Sequence, residues 1–356
     1  MIKPNDTALR LFEILSASGI EAYAVGGFVR DSLMGLPVHD IDFAVSASPE
    51  ETKRLLSPFA KMIDTGLKFG TVTAVFEGVP FELTTFRADC GIKDGRHPQS
   101  VSFVRDIVSD LSRRDFTVNA MAWSPEKGLV DPFGGREDIT KRLIRCVGEP
   151  SLRFEEDALR ILRSLRFMSR LGFRLDDETA KALRQNAFRL KTISRERIFS
   201  ELSGIICGKN ACDTVTEYAD VISVALPELF AGGAFMLKRL PDELHLRFAA
   251  LFKNADDAEN GMFSLKSPRK LRERVVALRR LIPLPDDEKE ILILGIDTPP
   301  EILREAAYWN STGKAADIID RLRMQNAFVS SKNLGIPTQK IMEISHEKGA
   351  RLGILI

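Results

Sequence analysis

Asp40-Ile41-Asp42 sets two carboxylates two residues apart, and Gly26-Gly27-Phe28-Val29-Arg30-Asp31 stands shortly before it. In an extended chain, alternation puts Asp40 and Asp42 on one face and Ile41 and Phe43 on the other. Carboxylates that close repel each other unless a cation lies between them. The glycine pair follows the apolar run Ala22-Tyr23-Ala24-Val25, which reads as a strand turning sharply into a helix. Such a turn lets the N–H groups of Gly26 and Gly27 approach a phosphate at the positive end of the helix dipole. Arg30, in the first turn, can pair with the same anion. A phosphate cradle beside a carboxylate pair is what Mg²⁺-dependent phosphoryl or nucleotidyl transfer requires.

These groups need a sheet to hold them. Residues 1–135 read as mixed α/β. Leu9, Leu11, Phe12, Ile14 and Leu15 predict an amphipathic helix. A strand at 22–25, a helix at 27–35 and a strand at 40–45 follow, and Pro49 opens a helix to Leu56. Strands are expected at 71–76 and 81–86 around a hairpin loop at 77–80. Gly91, Gly95, Pro98 and many charges predict a mobile loop over 87–100, with a short strand at 101–103. Asp131-Pro132-Phe133-Gly134-Gly135 is rich in breakers and predicts a hinge. From Lys141 onward the pattern is helical, so the fold class is α+β, a mixed sheet followed by an all-α part.

At 356 residues the chain exceeds one small core, and two or more domains are expected. Its 44% hydrophobic and 28% charged residues are those of a globular protein rather than a disordered or membrane one. The N-terminus lacks an apolar signal core, and the greasiest stretch, Val221 to Leu237, is broken by Pro227 and Glu228. The four cysteines form no C-x-x-C pair, so neither a zinc site nor a disulfide framework is indicated and a cytoplasmic location is expected. The net charge of +1 averages unequal parts. Residues 1–150 carry 18 Lys/Arg against 21 Asp/Glu, whereas 151–200 carry 12 against 7. Lys266, Arg269, Lys270, Arg272, Arg274, Arg279 and Arg280 add a second basic stretch. That distribution is compatible with a nucleic-acid partner, and the second stretch taken alone fits solvated helix faces equally well.

The joint pattern G-G-x-V-R-D followed by D-x-D resembles the tRNA nucleotidyltransferase and bacterial poly(A) polymerase family, class II of the DNA polymerase beta-like nucleotidyltransferases. Arg113-Arg114-Asp115-Phe116-Thr117-Val118-Asn119-Ala120 is similar to the family's R-R-D-F-T-x-N-A motif, and Glu156-Asp157 through Arg160 to its E-D-x-x-R motif. The resemblance implies a polymerase-beta-like catalytic head at 1–135, a helical neck at 136–205 that reads the base, and a helical body and short tail at 206–356 that bind tRNA. It implies that Glu82 completes the acidic cluster of Asp40 and Asp42, which hold two Mg²⁺ ions. Arg114 would contact the triphosphate and Asp115 would support the sugar side. Asp157 and Arg160 would select the incoming base, with Arg163 and Arg166 binding phosphate or orienting that pair. Asn119 is expected to fix backbone geometry rather than touch substrate. The segment 86–98 matches a family loop beside the active site, with His97 where a second Arg is common and Asp89 in place of Glu. His39 is given no catalytic role. His245 and His346 supply no His-Asp pair, so the phosphohydrolase activity of some relatives is not expected.

The expected activity is template-independent addition of C and A to the 3′ end of tRNA from CTP and ATP, with release of pyrophosphate. The rivals are an enzyme adding only A, a poly(A) polymerase, and an RNA-binding protein with a degenerate transferase head.

Overall fold

The computed structural model describes residues 2–328 apart from 39, 68–69, 93–97 and 105, and the side chains of 88–92 and 98–101 are not described. The expectations at His39, Asp89, His97 and His346 therefore lie outside what is described. The chain divides into two compact units, Met1–Asn210 and Ala211–Ile356. The ranges 1–135 and 136–205 both fall inside the first.

The first unit begins with α1 (Asp6–Ala17), β1 (Ala22–Val25), α2 (Gly27–Leu33), β2 (Asp42–Val45), α3 (Pro49–Leu56), β3 (Lys61–Gly66), β4 (Thr71–Phe76) and β5 (Val79–Thr85). It continues through β6 (Arg87–Ile92), β7 (Pro98–Phe103), α4 (Ile107–Ser112), β8 (Ala122–Ser124), β9 (Gly128–Val130), α5 (Gly135–Lys141) and β10 (Leu143–Ile144). It closes with α6 (Pro150–Glu156), α7 (Leu159–Leu171), β11 (Arg174–Leu175), α8 (Asp177–Asn186) and α9 (Arg195–Ile206).

Seven strands form one sheet in the order β3-β4-β5-β2-β1-β8-β9. All its pairs are antiparallel except β2 with β5, which run parallel with Asp42 opposite Glu82 and Ala44 opposite Thr84. Both faces are covered. Phe43 and Val45 of β2 join Leu11 and Leu15 of α1, Phe28 and Val29 of α2, and Leu83 of β5 in one core. Ala44 points the other way, into a cluster with Tyr23, Val25, Phe86, Ile107 and Leu111. Full burial of side chains of this size contributes roughly 1.5–3 kcal/mol each, enough to fix which face every second residue occupies. Helix starts follow the local chemistry. Ser48 and Glu51 form a reciprocal capping box behind Pro49, and Asp106 caps α4 by accepting from the Ser109 N–H.

The structure corrects four local expectations. β2 begins at Asp42, so Asp40 lies just ahead of the strand. Lys61–Gly66 is an edge strand that its polar composition hides. The 87–100 segment contributes to a two-stranded hairpin, β6 with β7, in which Arg87 pairs with Phe103. The breaker-rich stretch at 131–135 is packed: Asp131 accepts from the N–H groups of Gly135 and Arg136, and a Cβ on Gly135 would run into the Thr117 carbonyl.

The second unit is helical, with α10 (Ala211–Glu217), α11 (Ala219–Ala225), α12 (Leu244–Ala250), α13 (Ala255–Ser264), α14 (Arg269–Leu281), α15 (Glu288–Asp297), α16 (Pro300–Ala306) and α17 (Lys314–Met324). Within it His245 lies 3.1 Å from Glu305, whose carboxylate also takes two hydrogen bonds from Arg274. Among the described residues no helix is long and apolar enough to cross a membrane.

Candidate active site

The turn from β1 to α2 needs glycine. Gly26 has φ +66° and ψ −124°, and a Cβ there would come within 3.1 Å of Nη1 of Arg114. Gly26 and Gly27 open one side of a cavity of about 580 Å³. Seven of its fifteen described lining residues are arginines: Arg30, Arg87, Arg113, Arg114, Arg160, Arg163 and Arg197. Three are acids, Asp42, Asp115 and Asp157. A concave wall with that excess of guanidinium groups suits a polyanion.

The carboxylates stand at one edge. Asp42 and Glu82 are register partners on adjacent strands and project to the same face, exposed in both cases. Asp40 is exposed just before β2. Partial desolvation and the neighbouring Glu82 push the Asp42 carboxyl above its usual value, with Asp40 adding to the rise and Arg114 opposing it. A divalent cation between these oxygens would remove that repulsion, so the donor set fits a hard metal. A divalent metal is general among nucleotidyltransferases of this kind.

Arginine and aspartate pairs build the rest. Asp115 is 8% exposed; its Oδ2 accepts from Nε and Nη2 of Arg163 at 2.8 and 2.5 Å. Its Oδ1 accepts from the Phe116 N–H at 2.9 Å and from Nδ2 of Asn119 at 3.3 Å. Burial pushes the Asp115 carboxyl up, but Arg163 and these hydrogen bonds outweigh it and hold it below the usual range. Asn119 also accepts from Nη1 of Arg30 at 2.5 Å, in keeping with a geometric role. Arg30 differs from its expected use. It is 5% exposed, and its Nε and Nη2 are taken by Asp31 at 2.8 and 3.0 Å. Arg114 keeps an Nε that is buried without a hydrogen-bond partner.

At the far wall the helical pattern that runs on from Lys141 is interrupted. Asp157 has extended backbone, φ −146° and ψ 103°, between α6 and α7. Its Oδ1 accepts from the Leu159 N–H at 3.0 Å, and its Oδ2 from Nη2 of Arg197 at 2.8 Å. Arg160 donates to Glu156 at 2.6 Å and to the carbonyls of Arg153 and Arg113 at 3.2 and 3.1 Å. Phe167 is a plate under three guanidiniums, Arg30, Arg163 and Arg166, at 5.4, 5.8 and 5.0 Å from its centroid. Arg166 does not line the cavity and is held by Glu201 at 2.7 Å. The structure thus brings together Gly26, Gly27, Arg30, Asp42, Arg114, Asp115, Asp157, Arg160 and Arg163. Asp40 and Glu82 flank this group, and Arg166 stands apart from it.

Residues 22–145 match the family described as the poly A polymerase head domain, and 172–221 one described as the probable RNA and SrmB-binding site of polymerase A. A CCA-adding enzyme of Geobacillus sp. (strain WCH70) is 37% identical over 360 residues, covering 96% of this chain and 88% of the relative. This chain belongs to the CCA-adding enzyme family. The family member of Geobacillus thermodenitrificans (strain NG80-2) is 46% identical over 237 residues, 66% of this chain, and the match spans 58% of that relative's length. The solved CCA-adding enzyme of Bacillus stearothermophilus in complex with CTP superposes with TM-score 0.78 at 31% identity, over 99% of this chain and 91% of that one.

Reading this family member's sequence alone misses Asp110, Phe167 and Arg197. Asp110 and Arg197 are single charged residues on helices, and nothing local distinguishes them from solvated ones. Phe167 reads as a core residue of α7.

Proposed function

We propose that this chain adds C, C and A to the 3′ end of tRNA from CTP and ATP, releasing pyrophosphate. The observation that carries the reading is one cavity lined by Asp42, by Arg113 and Arg114, and by Asp157 and Arg160. Asp40 and Asp42, with Glu82 beside them, would hold Mg²⁺. When bound, the metal supplies Lewis-acid activation of the 3′-hydroxyl and charge neutralisation at the triphosphate. The Gly27 N–H and Arg114 bind phosphate oxygens, the Gly26 N–H being taken by the Met121 carbonyl at 3.3 Å, and the unpartnered Nε of Arg114 supports that role. Asp115 and Arg163 together bound the sugar side. Arg30 acts from beneath, fixing Asn119 and the start of α2.

Asp157 accepts from the exocyclic amine of cytosine or adenine, and Arg160 donates to cytosine O2 and N3 or adenine N1. Uracil and guanine present the opposite groups, leaving polar atoms unpaired at a cost of about 1–3 kcal/mol each. Residues 1–135 would carry the chemistry and 136–205 the choice of base. Residues 206–356 would carry the grip on tRNA. Purified protein is given tRNA lacking its 3′ end with labelled CTP and ATP. Ordered C and A incorporation is expected, and Asp40→Ala or Asp42→Ala is expected to abolish it. Full activity in both variants, A addition alone, or long A tails on arbitrary RNA would each overturn the assignment.

A further inference from the structure

Asp110 is 1% exposed on α4, and its partners among the described residues all bear on the cavity. Its Oδ1 accepts from Nη2 and Nε of Arg113 at 2.8 and 3.1 Å and from the N–H of Arg87 at 3.3 Å. Its Oδ2 accepts from Nη2 of Arg114 at 3.2 Å. Arg113 closes a loop by donating from Nε to the Arg87 carbonyl at 3.0 Å. One carboxylate therefore grips both peptide groups of Arg87, directly at the N–H and through Arg113 at the carbonyl. Arg87 is the first residue of β6 and pairs with Phe103, the last of β7, so it is the root of the hairpin. On the other side, Arg114 rests against Gly26 at the phosphate turn, and the Arg113 carbonyl accepts from Nη2 of Arg160 at 3.1 Å.

We propose that Asp110 is a positioning residue that ties the root of the β6–β7 hairpin to the arginines that hold the nucleotide. The proposal rests on the nucleotidyltransferase reading of the cavity. Aspartate fits because, among the described residues, every hydrogen-bonding group facing it is a donor: Arg113, Arg114 and the Arg87 amide. Asparagine at this position would turn one NH₂ toward a guanidinium and release either Arg113 or Arg114. A released Arg114 is free to leave Gly26, and a released Arg113 loosens both the hairpin root and the carbonyl that supports Arg160. Asp110 touches no substrate itself, so its loss appears in nucleotide binding more than in chemistry.

The experiment measures CTP affinity by calorimetry on the full chain, together with KM and kcat for CTP and ATP. Asp110→Asn is expected to raise the CTP Kd and both KM values about tenfold while kcat falls less than threefold, since tenfold corresponds to the loss of one net charged hydrogen bond. Leu111→Val, in the core beside it, controls for loosened packing and is expected to lower Tm without moving Kd. Where Asp110→Asn does not fold, Asp110→Glu is measured, since it keeps the charge but shifts the carboxylate by a methylene, and a several-fold rise in Kd is expected. A double-mutant cycle decides the route: in an Arg114→Lys background, Asp110→Asn is expected to add under threefold. Wild-type Kd in Asp110→Asn, or full additivity with Arg114→Lys, overturns the positioning role while leaving the activity intact. A wild-type chain that binds no CTP overturns both readings.

Discussion

Two aspartates in one cavity respond to acid with opposite signs. Asp115 is held below its ordinary value of 3.8, so its ion pair with Arg163 stabilises the fold above that pH. The contribution is lost as the pH falls through the lower folded value. Asp115→Asn should cost on the order of 3 kcal/mol at neutral pH, since it strands a half-buried Arg163. The Tm gap between variant and wild type should close as the solution is acidified below 3.8, which thermal melts across pH will check. A constant gap would mean that packing rather than charge holds Asp115. Asp42 is the reverse case. Its carboxyl is raised by desolvation and by Glu82, so ionising it costs stability above the ordinary value, and acid relieves that cost. If Asp42 holds a metal as proposed, that binding should weaken at a higher pH than at an isolated aspartate.

At the scale of elements, the break between α6 and α7 matters most. Asp157 is presented by an extended residue, and α9 supplies Arg197 to hold its Oδ2. Arg197→Ala should leave the carboxylate free to rotate and cut the preference for CTP over UTP about tenfold, equivalent to one lost charged hydrogen bond. The ratio of kcat/KM values for the two nucleotides measures this, and an unchanged ratio would remove Arg197 from base selection. The break is not legible in the sequence, because Phe154, Ala158, Ile161 and Leu165 keep helical spacing across it. The apolar and β-branched runs of β2, β4 and β5 are legible to within two residues, as is α3 from its proline. Lys61–Gly66 is not, because an edge strand with polar residues on both faces carries no period. The β6–β7 hairpin reads as a loop because Gly91, Gly95 and Pro98 dominate local propensity, which strand pairing overrides. Motif residues give most of the cavity. Asp110 and Arg197 come to it only through tertiary packing, which single charges on helices do not advertise.

At the scale of the whole molecule, charge is distributed by unit. The cavity gathers its arginines within Met1–Asn210. In the second unit α14 exposes Arg269 and Lys270 to solvent. If that helix meets RNA backbone, log Kd for tRNA should rise with log salt by about 0.7–0.9 per phosphate neutralised. Replacing Arg269 and Lys270 by alanine should lower that slope by about one for each phosphate no longer bound, as filter binding across a salt series will show. An unchanged slope would leave these two side chains as solvated surface. The parallel ladder between β2 and β5 has a further consequence for how an active molecule is made. Asp42 and Glu82 belong to segments separated by a helix and two strands, and hydrogen-bond register aligns them. A slip of one residue would bring Phe81 or Leu83 out of the core to stand opposite Asp42, exposing a large apolar side chain. The hydrophobic interior thus proofreads the acidic edge: a sheet that has buried its phenylalanines correctly has also set Glu82 opposite Asp42.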